Sequence, residues 1–156
     1  MLEKIDPNDQ RIETYQLTEE NLQYTKHPCE AVKTAIENQY QTCFGLFEGE
    51  VLVSFFVLHE NDGSLEYTSN PHAILLRSFS TDTRFTRRGY AKAALTEMER
   101  YVKVLDPIIN EIVLSVNVQN FAAQQLYEAF GFVDTEKRVD GRNGPLMVMS
   151  KNLANN

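Results

Sequence analysis

The sequence predicts a strand, a short loop and a helix in direct succession between residues 73 and 104, and this succession constrains the fold more than any other feature. The apolar run Ala73–Ser80 is typical of a central strand. Arg84–Lys92 follows, and apolar residues then recur at helical spacing in a helix predicted over Arg88–Val104. Such a junction leaves the first backbone N–H groups of the helix unpaired, at the positive end of its dipole. The segment therefore predicts an anion-binding loop in an α/β fold.

The loop has residues that suit a phosphate group. Gly89 and Ala91 lack bulk, so a phosphate can approach the main chain there. Basic side chains are concentrated around it, at Arg84, Arg87, Arg88 and Lys92. Taken alone, the same residues also fit an ordinary strand-to-helix turn with solvated arginines.

A second motif begins at Asn120, about thirty residues after the loop. Apolar residues at every second position from Ile112 to Val118 predict a half-buried strand. Asn120 is suited to cap the following helix, whose apolar residues recur from Ala123 to Phe130, and Gly131 is a natural helix stop. This segment therefore predicts a strand, a capped helix and a glycine before the next strand.

Together the two segments resemble the GNAT superfamily of N-acetyltransferases. The pyrophosphate loop of that family, Gln/Arg-x-x-Gly-x-Gly/Ala, is matched by Thr86–Ala91, and its later motif, Asn-x-x-Ala-x-x-Leu-Tyr-x-x-x-Gly-Phe, is matched by Asn120–Phe132. Thr86 departs from the usual Gln or Arg. Because backbone N–H groups are expected to supply most of the anion contacts, the physical basis of the match remains.

The resemblance implies a single domain over residues 1–156 with a mixed α/β (α+β) fold, in which helices flank a mostly antiparallel sheet. It also implies that acetyl-CoA is the cosubstrate and that a primary amine attacks it directly in a ternary complex. A small-molecule amine is preferred over a peptide amine, that is, a protein N-terminus or a lysine. A non-catalytic acetyl-CoA sensor is one alternative. Nucleotide binding is another, although the loop has no Gly-Lys-Ser/Thr sequence.

The same resemblance implies roles for individual residues. It assigns cofactor contacts to Phe79, Thr81, Thr86, Arg87, Arg88, Gly89, Tyr90, Ala91 and Asn120. The amides of pantetheine resemble a peptide, so an open strand edge at Phe79–Thr81 is expected to pair with them. Tyr127 is expected to protonate the departing thiolate. From spacing alone, Asn120 is more often only a helix cap and Tyr127 a core tyrosine with a satisfied hydroxyl.

Several other polar residues are candidates for the site. Arg77 lies in an apolar strand and is equally consistent with an acceptor pocket or an exposed face. His59 is predicted to lie at the surface. Three carboxylates are candidate general bases, but a water chain can serve instead, so none is assigned: Glu60, Glu66 and Asp82.

Composition limits the partners. A formal net charge of −7 argues against broad nucleic-acid binding and favours a cationic amine acceptor. The apolar runs are too short for a bilayer and the N-terminal residues lack a leader pattern, so no membrane association and a cytoplasmic location are expected. Cys29 and Cys43 have no metal-ligand spacing, so we expect free or buried thiols and no metal. The sequence does not decide between a monomer and a homodimer.

The remaining segments complete the expected order of elements. Predicted are a first strand at Ile12–Leu17, a helix at Pro28–Asn38, a hairpin of Tyr40–Phe47 with Val51–His59, a turn at Asn61–Ser64, and a closing hairpin of Phe132–Val139 with Leu146–Ser150. Leu65–His72 is consistent with either a sheet extension or an irregular loop.

Overall fold

A seven-stranded sheet forms the centre of the computed structural model, which describes residues 1–153. Its strands are β1 (Leu2–Lys4), β2 (Gln41–Glu48), β3 (Val51–His59), β4 (Ala73–Thr81), β5 (Glu111–Asn117), β6 (Val133–Gly141) and β7 (Gly144–Asn152). They lie in the order β1-β2-β3-β4-β5-β7-β6, and every neighbouring pair is antiparallel except β4 with β5. The predicted mixed, mostly antiparallel sheet is confirmed. The last residues of the predicted domain, 154–156, lie outside the described residues.

Within the described range, four helices flank the sheet: α1 (Glu19–Leu22), α2 (Pro28–Ile36), α3 (Tyr90–Leu105) and α4 (Phe121–Phe130). Their ends follow from local chemistry. Pro28 occupies the first turn of α2, where its missing N–H has no cost. Asn120 caps α4 by accepting a hydrogen bond from the Ala123 amide at 3.3 Å, and Gly131 ends it in the left-handed conformation with φ 110°. No helix in residues 1–153 has the length and apolar character needed to cross a membrane.

Both faces of β3 are buried, which explains why this strand is a nearly continuous apolar run. Phe56 and Leu58 enter the core beneath α3 and α4, whereas Phe55 and Val57 enter the core on the side of α2. Successive residues of a strand point to opposite faces, so a strand covered on both sides needs apolar residues at every position. β3 therefore packs between two layers of the core.

The prediction of a first strand at Ile12–Leu17 is wrong. Gln10–Thr14 is a 3₁₀ turn, and the Asp9 side chain caps it through the Arg11 amide. Ile12 and Tyr15 are buried in the core on the side of α2. Their apolar spacing is satisfied by packing beneath the sheet, not by pairing within it, and the first strand is β1. The segment between residues 65 and 72 is irregular, which settles the alternative left open for it.

The strands β4 and β5 separate after a short contact. Their pairing covers only Ala73–Leu75 against Glu111–Val113. On its other side β4 carries a bulge, because Ser78 and Phe79 together lie opposite one residue of β3. Ser78 has φ 56°, an uncommon value for a residue with a side chain. Beyond Leu75, the edge of β4 that faces β5 is therefore open.

Candidate active site

The gap between β4 and β5 forms a cavity of about 280 Å³, called here the thioester cavity after the role that the resemblance implies for it. β4 supplies one wall and β5 the opposite one, while the first turns of α4 close it on a third side. The predicted site residues that line it are Phe79, Thr81, Thr86, Ala91, Asn120 and Tyr127. Two motifs about thirty residues apart in the sequence therefore meet at one cavity.

The other predicted cofactor residues do not line this cavity: Arg87, Arg88 and Gly89 belong to the loop that leads into α3, and Tyr90 is the first residue of that helix. Gly89 has φ 84° and provides no side-chain cap, and a Cβ built on it meets no atom within 4 Å. The first bond back to the loop runs from the Ala93 amide to the Gly89 carbonyl at 3.0 Å. The amides of residues 90–92 precede that bond and are available to an anion.

Only part of the predicted basic cluster is available to a ligand. Arg84 is engaged, because its guanidinium donates to both oxygens of Asp82, at 3.1 and 2.8 Å, and to the Thr14 carbonyl at 3.0 Å. Arg87, Arg88 and Lys92 are exposed beside the loop. Positive charge near the loop therefore comes from these three side chains, and Arg84 has a structural role.

Asp82 is occupied in the same way and is not placed to act as a general base. Its side chain is fully buried and also accepts hydrogen bonds from the Gln16 and Arg84 amides, at 2.9 and 2.8 Å. Burial raises the pKa of Asp82, but the hydrogen bonds from Arg84 and Gln16 outweigh it and hold the pKa below its ordinary value. Glu60 and Glu66, the other candidate bases, line neither of the cavities described for this site.

Tyr127 combines a buried ring with an unpaired hydroxyl. The ring packs edge-on against Phe79 and Phe132, with centroid distances of 6.1 and 5.8 Å. The residue is 7% exposed. Burial raises the pKa of Tyr127, so the phenol stays protonated near neutral pH. Within residues 1–153 no group hydrogen-bonds to the hydroxyl, so Tyr127 has a proton to donate at the cavity wall and lacks the partner expected of a structural core tyrosine.

A second, more open cavity of about 500 Å³ continues from the first and is called here the acceptor cavity, after the pocket that the resemblance leads us to expect beside the cofactor. Arg77, Ser78 and Asn117 line both cavities. The two-residue turn between β6 and β7 helps to enclose it. Asn143 of that turn donates to the Gln23 carbonyl at 2.5 Å and accepts at its own carbonyl from Asn117 at 3.0 Å. These bonds fasten the turn to β5 and to the end of α1.

The prediction that His59 lies at the surface is wrong. His59 is 6% exposed, because the 3₁₀ turn Asn61–Ser64 folds back over it. A Cβ on Gly63 would lie 2.4 Å from the His59 ring, so glycine is needed for this approach. Arg77 Nη1 donates to His59 Nδ1 at 3.2 Å, which leaves Nε2–H to donate to Asp62 at 3.0 Å. Of the two alternatives for Arg77, a pocket or an exposed face, the structure therefore shows the pocket, because Arg77 lines both cavities.

Sequence reasoning missed the residues that the segment before α2 contributes. Leu17, Asn21, Tyr24 and Thr25 line the thioester cavity. This segment has neither a periodic apolar pattern nor a family motif, so the sequence contains no signal for its position.

Cys29 and Cys43 are free thiols. Residues 1–153 contain no group of three or more His, Cys, Asp or Glu side chains that could hold a metal ion.

Comparisons with known proteins agree with this geometry. Residues 7–132 match the model of the acetyltransferase (GNAT) family. The uncharacterized N-acetyltransferase YbbJ of Bacillus subtilis (strain 168) is 33% identical to the chain over 136 residues, which cover 86% of this chain and 83% of YbbJ.

Solved structures show the same fold. An uncharacterized protein from Bacillus halodurans superposes with a TM-score of 0.81 at 15% identity, covering 98% of this chain and 84% of that one. A Bacillus subtilis acetyltransferase in complex with CoA superposes with a TM-score of 0.70 at 12% identity, covering 97% of each chain.

Proposed function

The chain belongs to the acetyltransferase (GNAT) family, and from this premise we propose that it transfers an acetyl group from acetyl-CoA to a primary amine of a small molecule. The observation that carries the proposal is the thioester cavity, where an open strand edge and the Tyr127 hydroxyl lie beside a loop with unpaired amides. We propose that residues 1–156 act as one catalytic domain.

The cofactor is proposed to lie across the gap between β4 and β5. Its pyrophosphate binds the loop amides around Gly89, and Arg87 and Arg88 add positive charge. Its pantetheine amides pair with the open edge of β4 at Phe79–Thr81, as an added strand would. A CoA complex of an acetyltransferase with the same fold supports this cosubstrate.

The reaction needs a neutral amine, a polarised carbonyl and a proton for the leaving group. The amine attacks the thioester carbonyl carbon, and a backbone amide at the β4 bulge stabilises the developing oxyanion. When the tetrahedral intermediate collapses, the C–S bond breaks and Tyr127 donates its proton to the sulfur. Burial disfavours the thiolate as well as the phenolate, so the same apolar wall makes the sulfur a better proton acceptor. The attacking amine loses a proton, which passes through water to the Tyr127 phenolate and restores the phenol.

The deciding experiment is an acetyl-CoA-dependent thiol-release assay against small amines and peptides, with the products identified by mass spectrometry. We expect turnover with a small amine and a mass gain of one acetyl group. Tight acetyl-CoA binding without turnover of any amine would instead favour the sensor alternative. Faster turnover of peptides would move the acceptor to a protein N-terminus or a lysine.

A further inference from the structure

We propose that the acceptor carries an anionic group, a carboxylate or a phosphate, which binds in the acceptor cavity at Arg77 with support from Lys26 and Arg142. The inference rests on the proposed function, because it names the acceptor class of the same site. The amine would then point from the bound anion into the thioester cavity.

The charge of the acceptor cavity is opposite in sign to that of the protein. The chain has a formal net charge of −7. In the cavity wall, however, three cations, Lys26, Arg77 and Arg142, are accompanied by a single carboxylate, Glu30. A ligand inside the cavity contacts these lining groups directly, whereas charges farther away than about 8 Å are largely screened at physiological salt. The local field therefore favours an anion, although net charge alone favours a cation.

Pairing separates the arginines of the chain into two groups. Arg11, Arg84, Arg100 and Arg138 each form an ion pair with an Asp or Glu. Across residues 1–153, the arginines that have no carboxylate within 4.0 Å are Arg77, Arg87, Arg88 and Arg142. Arg87 and Arg88 lie at the proposed phosphate loop, and Arg77 and Arg142 line the acceptor cavity. Uncompensated guanidinium groups thus occur at the two places where a ligand is expected.

Neutral groups hold two of the three cations of the acceptor cavity in place. Arg77 is oriented by the His59 ring, which accepts its Nη1–H at 3.2 Å. Lys26 donates from Nζ to the Thr34 hydroxyl at 3.2 Å. Arg142 belongs to the turn that Asn143 fastens to Gln23. Arg77 and Lys26 are therefore positioned by partners that do not neutralise them, and Arg142 is exposed in the turn, so all three charges are left for a ligand.

Arg77 has the chemistry and the position for this role. Its planar guanidinium presents parallel N–H donors that match the oxygens of a carboxylate or a phosphate. It also lines the thioester cavity together with Tyr127. An anion bound to it lies next to the site of transfer, so the amine and the anion must belong to one compact molecule. A cavity of about 500 Å³ is large enough for such a molecule.

The test compares matched acceptors that differ only in the anion. An amino acid is paired with its carboxamide, phosphoethanolamine is paired with ethanolamine, and spermidine represents a cationic acceptor. The comparison uses the change in kcat/KM on mutation for each acceptor, so differences in intrinsic amine reactivity cancel. We expect Arg77→Gln to lower kcat/KM about 10- to 100-fold for the anionic member of a pair, as for loss of a charged hydrogen bond. The neutral member should change by less than about twofold, because a neutral group makes no such bond.

Controls separate charge from folding. Arg100→Gln removes an exposed arginine of α3 that pairs with Glu97 at 2.9 Å, and it should change neither member. Arg142→Gln, at an exposed position of the turn, should lower kcat/KM for the anionic member alone, by less than Arg77→Gln. The melting temperature and acetyl-CoA affinity are measured on every preparation. The carboxylate and phosphate pairs reveal which anion the cavity prefers.

Two results would overturn the inference while leaving acetyl transfer intact: equal losses for both members of each pair in Arg77→Gln, or a wild-type preference for spermidine. If no acceptor turns over, the proposed function fails separately. Calorimetry of the same acceptors with the CoA-loaded protein then decides whether Arg77 binds the anionic group of the acceptor. Binding of an anionic acceptor that Arg77→Gln weakens supports the inference, and no binding, or binding that the variant leaves unchanged, overturns it.

Discussion

Tyr127→Phe isolates the proton proposed to reach the leaving thiolate. The substitution keeps the ring that packs against Phe79 and Phe132 and removes only a hydroxyl that has no partner in residues 1–153. If the phenol is the general acid, turnover should fall by about 10²-fold or more. Acetyl-CoA affinity and melting temperature should stay near wild type, because no protein hydrogen bond is lost. Turnover, calorimetry and thermal melting on one preparation check this expectation.

Tyr101 supplies the matched control for that experiment. It is a half-buried tyrosine of α3 whose ring packs edge-on against Phe44 at 4.7 Å, and it lines neither cavity. Tyr101→Phe should leave turnover unchanged. Near-normal turnover in Tyr127→Phe would end the assignment of a general acid.

Gly89→Trp tests the phosphate loop. Its Cβ meets no atom within 4 Å, but the indole would occupy the space in front of the loop amides. We expect a sharp loss of acetyl-CoA affinity in calorimetry, because the pyrophosphate can no longer reach those amides.

The β2–β3 turn provides the control for this change. Gly49 also has a positive φ, 59°, and no atom within 4 Å of its built Cβ. Gly49→Trp therefore has a comparable backbone strain of about 1–2 kcal/mol at a remote position. If the two variants lose the same affinity, the effect at Gly89 reflects strain and not blockage of a site.

At the residue scale, the motifs indicated candidate residues that lie together in the structure, and their roles stay predictions. Phe79, Asn120 and Tyr127 were found through the family pattern, and the structure places them on one cavity. His59 was placed wrongly, because its burial depends on a backbone approach that only Gly63 permits. Such an approach between residues four apart has no periodic signature, so spacing could not reveal it.

At the scale of elements, the Asp82 carboxylate connects the end of β4 with Gln16, which lies between the 3₁₀ turn and α1. Asp82→Asn should lower the free energy of unfolding at neutral pH by about 1–3 kcal/mol, because a buried acceptor of several hydrogen bonds is replaced. The folded pKa of Asp82 lies below its ordinary value. Its stabilisation is therefore present above about pH 4 and is lost as pH falls through the folded pKa. Urea melts should show a constant deficit from about pH 5 to 8 that shrinks in acid.

Asp134→Asn is the companion measurement. The hydrogen bonds from Arg138 also lower the pKa of Asp134, but this pair lies at the surface, with side chains 32% and 44% exposed. A surface pair contributes about 0–1 kcal/mol. If Asp82→Asn lowers the free energy of unfolding by no more than Asp134→Asn does, the connection at β4 contributes little.

The order of elements was largely predictable, but the shape of the central gap was not. Alternation and capping gave the hairpin of β2 and β3 and the ends of α4. Beyond the point where β4 separates from β5, β4 carries a bulge at Ser78, a residue type that does not indicate a positive φ. Tertiary pairing sets that conformation, so local sequence could not predict it.

At the scale of the whole molecule, acetyl-CoA should raise the melting temperature. A ligand at 100 times its Kd stabilises the native state by about 2.7 kcal/mol. For a chain of this size, that corresponds to roughly 5–10 °C in thermal melting. ATP at the same concentration should give little change, since the loop lacks a Gly-Lys-Ser/Thr sequence. A shift with ATP and none with acetyl-CoA would instead revive nucleotide binding.

The short contact between β4 and β5 divides the sheet into two leaves, one of four strands and one of three. Within the sheet, the seam between them consists of three residue pairs. A cofactor that pairs with the open edge of β4 while contacting α4 would lengthen that seam. Amide hydrogen exchange should then detect binding far from the ligand, as two leaves that open separately become one cooperative unit.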